Sequence, residues 1–157
     1  MRSIVLYSTR SGNTEKVAIA VASELKCPCL RVTSDSATVN LNDYDVVFLG
    51  TGIYRGQPHE DLLGYLRGAE MNGRKRFALF MTCFGWGKGI ADKNVIDTLT
   101  AALTAKGQQM LNSSYCCFGH GLGLVKRGHP DEGSWMRQRN GQRGSCKQHR
   151  SFVAACL

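Results

Sequence analysis

The chain has few of the features that would place it in a membrane or a secretory pathway. None of its apolar stretches approaches the roughly 20 residues of a membrane-spanning helix. Arg2 is followed by only a short apolar run, which does not have the form of a secretory signal. At 157 residues the chain is long enough for one domain with a substantial core. We expect a cytoplasmic protein with no membrane partner.

The sequence also lacks a recognisable catalytic or metal-binding constellation. We find no nucleophile with a base, no paired carboxylates and no ligand set of the usual spacing. Cys27 and Cys29 have C-x-C spacing, but no second Cys/His pair accompanies them. We therefore predict no catalytic residue and no metal.

The cysteines favour reduced thiols over disulfides. Their number is odd, no secretory segment precedes them, and two adjacent ones fall in a predicted strand. The seven are Cys27, Cys29, Cys83, Cys116, Cys117, Cys146 and Cys156.

Positive charge is concentrated at the C-terminal end. The net charge is +8, and residues 134–157 contribute +5 of it without a single acidic residue. The remaining 1–133 carry only +3. A weakly basic body does not argue for binding to nucleic acid, and we expect no such partner.

One N-terminal stretch has the pattern of a phosphate-binding loop. An apolar strand over Ser3–Ser8 runs into a turn rich in hydroxyls and amides, which opens a helix over Asn13–Leu25. Free N–H groups and the positive end of the helix dipole face an anion there, and Gly12 permits close backbone approach. The predicted phosphate contacts are Thr9, Arg10, Ser11, Gly12, Asn13 and Thr14. The alternative is a plain helix cap formed by Thr9 or Thr14.

Two well-known phosphate motifs do not fit this loop. A Walker loop requires Lys followed by Ser or Thr at the helix start, and no Lys stands there. The dinucleotide fingerprint requires three spaced glycines, and only Gly12 is present. A lysine-free, hydroxyl-rich loop suits a terminal monophosphate held by neutral donors.

This loop resembles the FMN-phosphate loop of the flavodoxin family. The family pattern is two apolar residues and an aromatic, then Ser/Thr, a small residue and Thr at fixed spacing, with Ala and an aliphatic residue in the following helix. It is met in full by Val5, Leu6, Tyr7, Thr9, Gly12, Thr14, Ala18 and Val21. The resemblance continues to about Gly133 and implies a flavodoxin-like domain over 1–133 that binds FMN.

The order of apolar segments predicts an α/β fold. Further strands are expected over 30–33, 45–50, 77–82 and 110–118. One helix is expected to have Pro58 near its first turn and to run to about Arg67, and another is expected over 92–106, capped by Gly107. Such an order makes a five-stranded, doubly wound parallel sheet with helices on both faces, a three-layer structure. The strand order 2-1-3-4-5 is implied by the resemblance.

Two glycine-rich loops follow the third and fourth strands, at the edge where ligands bind in such sheets. The first contains Thr51, Gly52, Ile53, Tyr54, Arg55 and Gly56, and the second contains Thr82, Cys83, Phe84, Gly85, Trp86 and Gly87. By the resemblance these loops hold the isoalloxazine ring, with Tyr54 on one face and Trp86 or Phe84 on the other. The alternative is that these aromatics only cap the core.

Arg55 departs from the family pattern, which often has Gly directly after the aromatic. A cation near the ring would stabilise its anionic reduced form, so we expect a less negative potential for the second reduction step. His120, after the last strand, is a weaker candidate for a role near the ring. It is more often a residue with local hydrogen bonds.

Residues 134–157 do not supply the covering helix that the fold needs after its fifth strand. This segment has internal glycines and no sustained apolar stripe. A frameshifted final helix is one explanation, because the codons of 134–138 can encode a helical Leu-Asp-Ala-Ala in another frame. A basic docking tail is the other.

The resemblance therefore implies an FMN-binding electron carrier that works with a reductase or oxidase, as a monomer or weak dimer. The alternative is an FMN oxidoreductase of the same fold that acts on an organic substrate, similar to flavodoxin-type protoporphyrinogen oxidase or to quinone reductases. A carrier is favoured because no substrate-transforming residues were found. The long insertion that such an oxidase carries near the fifth strand is also missing.

Overall fold

In the computed structural model of the protein, the described residues are 1–33, 39–83 and 90–118. They form five strands, three α-helices and one short 3₁₀ turn. The strands are β1 (Ser3–Ser8), β2 (Cys29–Arg31), β3 (Val46–Gly52), β4 (Arg76–Cys83) and β5 (Gln109–Phe118). The helices are α1 (Asn13–Leu25), α2 (Glu60–Gly68) and α3 (Ile90–Thr104), and the 3₁₀ turn is Leu41–Asp43.

The five strands form one parallel sheet in the order β2-β1-β3-β4-β5, which confirms the predicted fold class. Val5 pairs with Phe48 on β3, and Phe48 pairs with Ala78 on β4, so the apolar centres of these strands lie side by side. All seven residues of β3 are buried, as expected for a central strand covered on both faces.

Helices cover the sheet on both faces. The face under α1 contains Val5, Phe48 and Phe80, packed against Val17 and Val21 of that helix. The opposite face packs against α2 and α3 through Leu62, Leu66, Val95, Leu99 and Leu103, all fully buried. The 3.6-residue spacing of apolar residues therefore identified the buried side of α1 and α3 correctly.

Element boundaries differ from the sequence-based expectations by a few residues. β2 was expected over 30–33 and occupies Cys29–Arg31, although Val32 N still donates to Tyr7 O at 2.8 Å. α2 has Pro58 close to its first turn, as expected, and His59 is its N-cap. The 3₁₀ turn lies between β2 and β3. Within the described ranges, no helix is both long and apolar enough to span a membrane.

Three predictions concern residues outside the described ranges. These are the ring contacts of Phe84, Gly85, Trp86 and Gly87, the role of His120, and the nature of residues 134–157.

Candidate functional site

The predicted phosphate loop lies at the carboxyl end of β1 and leads directly into α1. Gly12 is the N-cap residue, with φ of 78°, and no side chain caps the helix. The alternative of a simple Thr9 or Thr14 cap is therefore wrong. Thr14 lies inside the helix, and Thr9 Oγ1 accepts a hydrogen bond from Gly12 N at 3.1 Å within the loop.

The geometry of the helix start suits an anion. A backbone bond from Lys16 N to Gly12 O, 3.3 Å long, closes the first turn, so the amides of residues 13–15 precede the intrahelical ladder. They point out of the positive end of α1. A Cβ built on Gly12 would meet only Glu15 Oε2, at 3.9 Å. The left-handed φ, rather than lack of space, is the reason for glycine here.

Glu15, in the first turn of α1, is tied to the sheet. Tyr7 donates its hydroxyl hydrogen to Glu15 Oε1 at 2.6 Å. Burial, with further contributions from the hydrogen bond to Glu15 and its charge, raises the pKa of Tyr7 well above its usual value. The phenol therefore remains a donor at any physiological pH and holds this carboxylate.

Arg31, at the end of β2, supports the loop from the neighbouring strand. Its Nη2 donates to Thr9 O at 3.0 Å. Sequence reasoning did not identify this residue, although the strand-end rule for parallel sheets could have done so, since Arg31 closes β2 at the same edge.

The loop after β3 makes a tight turn around Arg55. Tyr54 and Gln57 exchange backbone hydrogen bonds of 2.9 and 3.0 Å, and both residues between them have positive φ, 52° for Arg55 and 75° for Gly56. Two successive left-handed residues define a type I′ turn. The Arg55 side chain is exposed at the tip of this turn.

Tyr54 folds back over the end of β3 and contacts the phosphate loop. A Cβ on Gly52 would lie 2.6 Å from the Tyr54 hydroxyl oxygen, so only glycine allows the ring this position. That hydroxyl accepts a hydrogen bond from Arg10 N at 2.9 Å. The Arg10 guanidinium carbon lies 4.8 Å from the ring centroid, and Arg10 pairs with Glu60 at 3.0 Å.

His59 supports Tyr54 from the other side. Its imidazole meets the Tyr54 ring edge-on, at 5.3 Å between centroids, and is nearly fully buried. Nδ1 accepts from Asp61 N at 3.2 Å, and His59 N donates to Thr51 Oγ1 at 2.8 Å. Burial lowers the pKa of His59, and the nearby Asp61 carboxylate only partly opposes this. The neutral imidazole is the form that caps α2.

Thr82, at the end of β4, connects all three loops. Its hydroxyl shares a 2.8 Å hydrogen bond with Thr14 Oγ1 of the phosphate loop. Its carbonyl accepts from Ile53 N, in the loop after β3, at 2.9 Å. Both threonines are buried. The structure thus brings together the described parts of the three loops that the sequence singled out.

Comparison with known proteins identifies a family for this chain. The family description "Flavodoxin domain" matches residues 4–121. An uncharacterized protein of Methanocaldococcus jannaschii is 29% identical over 140 residues, covering 84% of this chain and 89% of that protein.

Two solved structures show the shared fold. The flavodoxin of Streptococcus pneumoniae TIGR4 superposes with a TM-score of 0.61 at 16% identity, over 99% of this chain and 97% of that one. A flavoprotein of Lactobacillus acidophilus NCFM in complex with FMN gives a TM-score of 0.54 at 20% identity, over 73% and 91%. With its phosphate-type loop, its strand order and a family match over most of its length, the chain belongs to the flavodoxin-domain family.

Proposed function

We propose that this protein binds FMN and carries electrons between the flavin and a redox partner protein, a reductase or an oxidase. The observation that carries the proposal is the junction at Thr82, which joins a phosphate-type helix start to two loops at the carboxyl edge of the sheet. FMN has a monophosphate at one end and a planar ring at the other, and this arrangement suits both. A structural neighbour was solved with FMN, which supports the same cofactor.

The donor set fits a monophosphate. Thr9 and Ser11 offer hydroxyls, and the amides at the start of α1, that of Thr14 among them, offer N–H groups. The Thr14 hydroxyl itself is buried and bonded to Thr82. Arg10 and Arg31 add positive charge next to the loop. Tyr54, Arg55 and Gly56 would bind the ring on the side of the β3 loop. We propose ring contacts for Thr51, Gly52, Ile53, Thr82 and Cys83 as well, and for Phe84–Trp86 and Gly87.

The protein's part in electron transfer is binding and electrostatics, while bound FMN supplies the redox chemistry. The loops fix the ring at an edge of the sheet, and the positive charge of Arg55 stabilises the reduced ring. We propose a monomer or weak dimer, because a carrier must present the ring to its partner. We propose that the carrier works in the cytoplasm.

Titration of the protein with FMN and with riboflavin tests the cofactor. We expect FMN to bind much more tightly, because riboflavin lacks the phosphate. Ser11→Ala removes an exposed loop hydroxyl and should weaken FMN binding about five-fold, the equivalent of roughly 1 kcal/mol, with riboflavin binding unchanged. Ser23→Ala, an exposed serine near the other end of α1, is the control. Equal affinity for FMN and riboflavin would contradict the phosphate site.

A second experiment tests the carrier role. Purified holoprotein should not oxidise protoporphyrinogen in the presence of an electron acceptor. Nor should it reduce quinones with a reduced nicotinamide nucleotide unless a reductase is added. Turnover by the holoprotein alone would identify it as an oxidoreductase instead.

A further inference from the structure

Two cysteines on neighbouring strands meet where β4 ends. Cys83 is the last residue of β4, and Cys116 lies near the end of β5. Their Sγ atoms are 3.4 Å apart, with Cys116 donating its S–H to the Cys83 sulfur. Both side chains are half-buried. The contact depends on the parallel pairing of β4 and β5, in which Met81 lies opposite Cys116. Cys83 follows Met81 by two residues, so its side chain is on the same face of the sheet as that of Cys116.

The surroundings distinguish Cys83 from the other described thiols. The pKa of Cys83 is lowered, chiefly by the hydrogen bond that Cys116 donates to its sulfur. Burial and the Asp92 carboxylate oppose this shift without cancelling it. Burial raises the pKa of Cys27, and raises that of Cys29 to about 11. Thiolate is the reactive form of cysteine. Cys83 therefore has a larger thiolate fraction than Cys27 or Cys29, and it has a second thiol next to it.

We infer that Cys83 and Cys116 form a redox-active dithiol that a peroxide oxidises to a disulfide between β4 and β5. The Cys83 thiolate attacks a peroxide oxygen and the O–O bond breaks, which gives a sulfenic acid and hydroxide. The hydroxide takes up the proton that the Cys83 thiol released and becomes water. Cys116 then attacks the Cys83 sulfur, and the S–S bond forms as a second water leaves. Overall, two thiols and one hydrogen peroxide give one disulfide and two waters.

The disulfide would act on the loop after β4. Bonded sulfurs are about 2.05 Å apart, so the two atoms must approach by about 1.4 Å from their 3.4 Å separation. This movement draws Cys83, at the end of β4, towards β5. The dithiol is a feature of the chain itself and does not depend on the proposed cofactor.

The test uses the full-length protein treated with one equivalent of hydrogen peroxide, then alkylated, digested with trypsin and analysed by mass spectrometry. We expect a cross-linked pair of peptides, 77–88 with 107–126, that reductant separates. Because the second peptide contains both Cys116 and Cys117, two variants assign the bond. Cys117→Ser should retain the cross-link, and Cys116→Ser should lose it. A cross-link that persists in Cys116→Ser, or that is absent from the wild type, would overturn the inference.

Alkylation of the reduced protein gives an independent readout. At pH 8, Cys83 should react faster than Cys27. It should react about ten-fold or more faster than Cys29, whose pKa burial raises to about 11, since each unit of pKa changes the thiolate fraction about ten-fold. Cys116→Ala should reduce this advantage, because alanine removes the S–H that donates to the Cys83 sulfur. Circular dichroism checks that the variants fold. Equal alkylation rates at all three cysteines would contradict the assignment of Cys83 as the attacking thiol.

Discussion

At the scale of single residues, Thr82 shows how the site is assembled. Sequence reasoning placed this threonine among the cofactor contacts. The structure shows that it is buried and that its hydroxyl and carbonyl are bonded to Thr14 and Ile53. It therefore holds the loops in position in addition to any contact that it makes with a ligand.

Thr82→Val tests this role. Valine has the same shape but leaves the buried Thr14 hydroxyl without its partner at Thr82, which should cost about 1–3 kcal/mol of unfolding free energy. Urea denaturation measures the change. Thr104→Val, at an exposed position at the end of α3, is the matched control and should change stability by less than about 0.5 kcal/mol. Equal effects of the two substitutions would show that the Thr14–Thr82 bond contributes little.

His59 should make stability depend on pH. Its pKa in the folded protein lies below the unfolded value because burial disfavours the charged form. The unfolded chain therefore binds the proton first, and stability present above about pH 6.5 is lost as the pH falls through the folded pKa. His59→Asn keeps an N-cap acceptor without a titrating group. Urea midpoints at pH 7, 6 and 5 should fall less for this variant than for the wild type.

At the scale of elements, the N-terminus of α1 is set by a single backbone conformation. Gly12 has φ of 78°, which costs other L-residues roughly 1–2 kcal/mol. Gly12→Ala should therefore destabilise the protein by about that amount in urea denaturation. Gly64→Ala, at an exposed position of α2 with nothing within 4 Å of the new Cβ, should be neutral or stabilising by up to about 1 kcal/mol. A stabilising Gly12→Ala would mean that the loop adopts another conformation.

The charge of Arg55 can be removed without changing the shape of the turn. Arg55 has φ of 52°, so glycine fits the turn at least as well as arginine. If the cation stabilises the reduced ring, Arg55→Gly in the FMN-bound protein should make the second reduction potential more negative, and Arg55→Lys should keep it near the wild-type value. Potentiometric titration measures this. Identical potentials in all three proteins would place the charge outside the reach of the ring.

At the scale of the whole molecule, the three loops should respond to the cofactor together. They lie at one edge of the sheet and are joined through Thr82, so ordering one of them orders the others. We expect FMN to slow amide hydrogen exchange in 9–14 and 51–57 alike. Segments 42–45 and 73–76, at the opposite edge, should not change. Protection confined to 9–14 would show that the loops bind independently.

Much of this fold could be predicted from the sequence because its signals are local. The apolar run of β3 and the helical spacing of Val17, Ala18 and Val21 report burial directly. The turn from β1 to Gly12 could be predicted equally well, since strand, hydroxyl-rich turn and helix follow one another within a few residues. These parts were predicted within one or two residues of the observed bounds.

The sequence by itself determined the order of strands and helices along the chain and the residues of the phosphate-type loop. Only the tertiary structure decided how that loop is held. The bonds Thr14–Thr82, Arg31–Thr9 and Arg10–Tyr54 join residues 68, 22 and 44 positions apart. The burial of His59 and the contact of Cys83 with Cys116 likewise depend on the packing of separate elements. Periodicity and turn composition describe neighbours along the chain, whereas these contacts exist only because parallel pairing aligns the ends of distant strands at one edge.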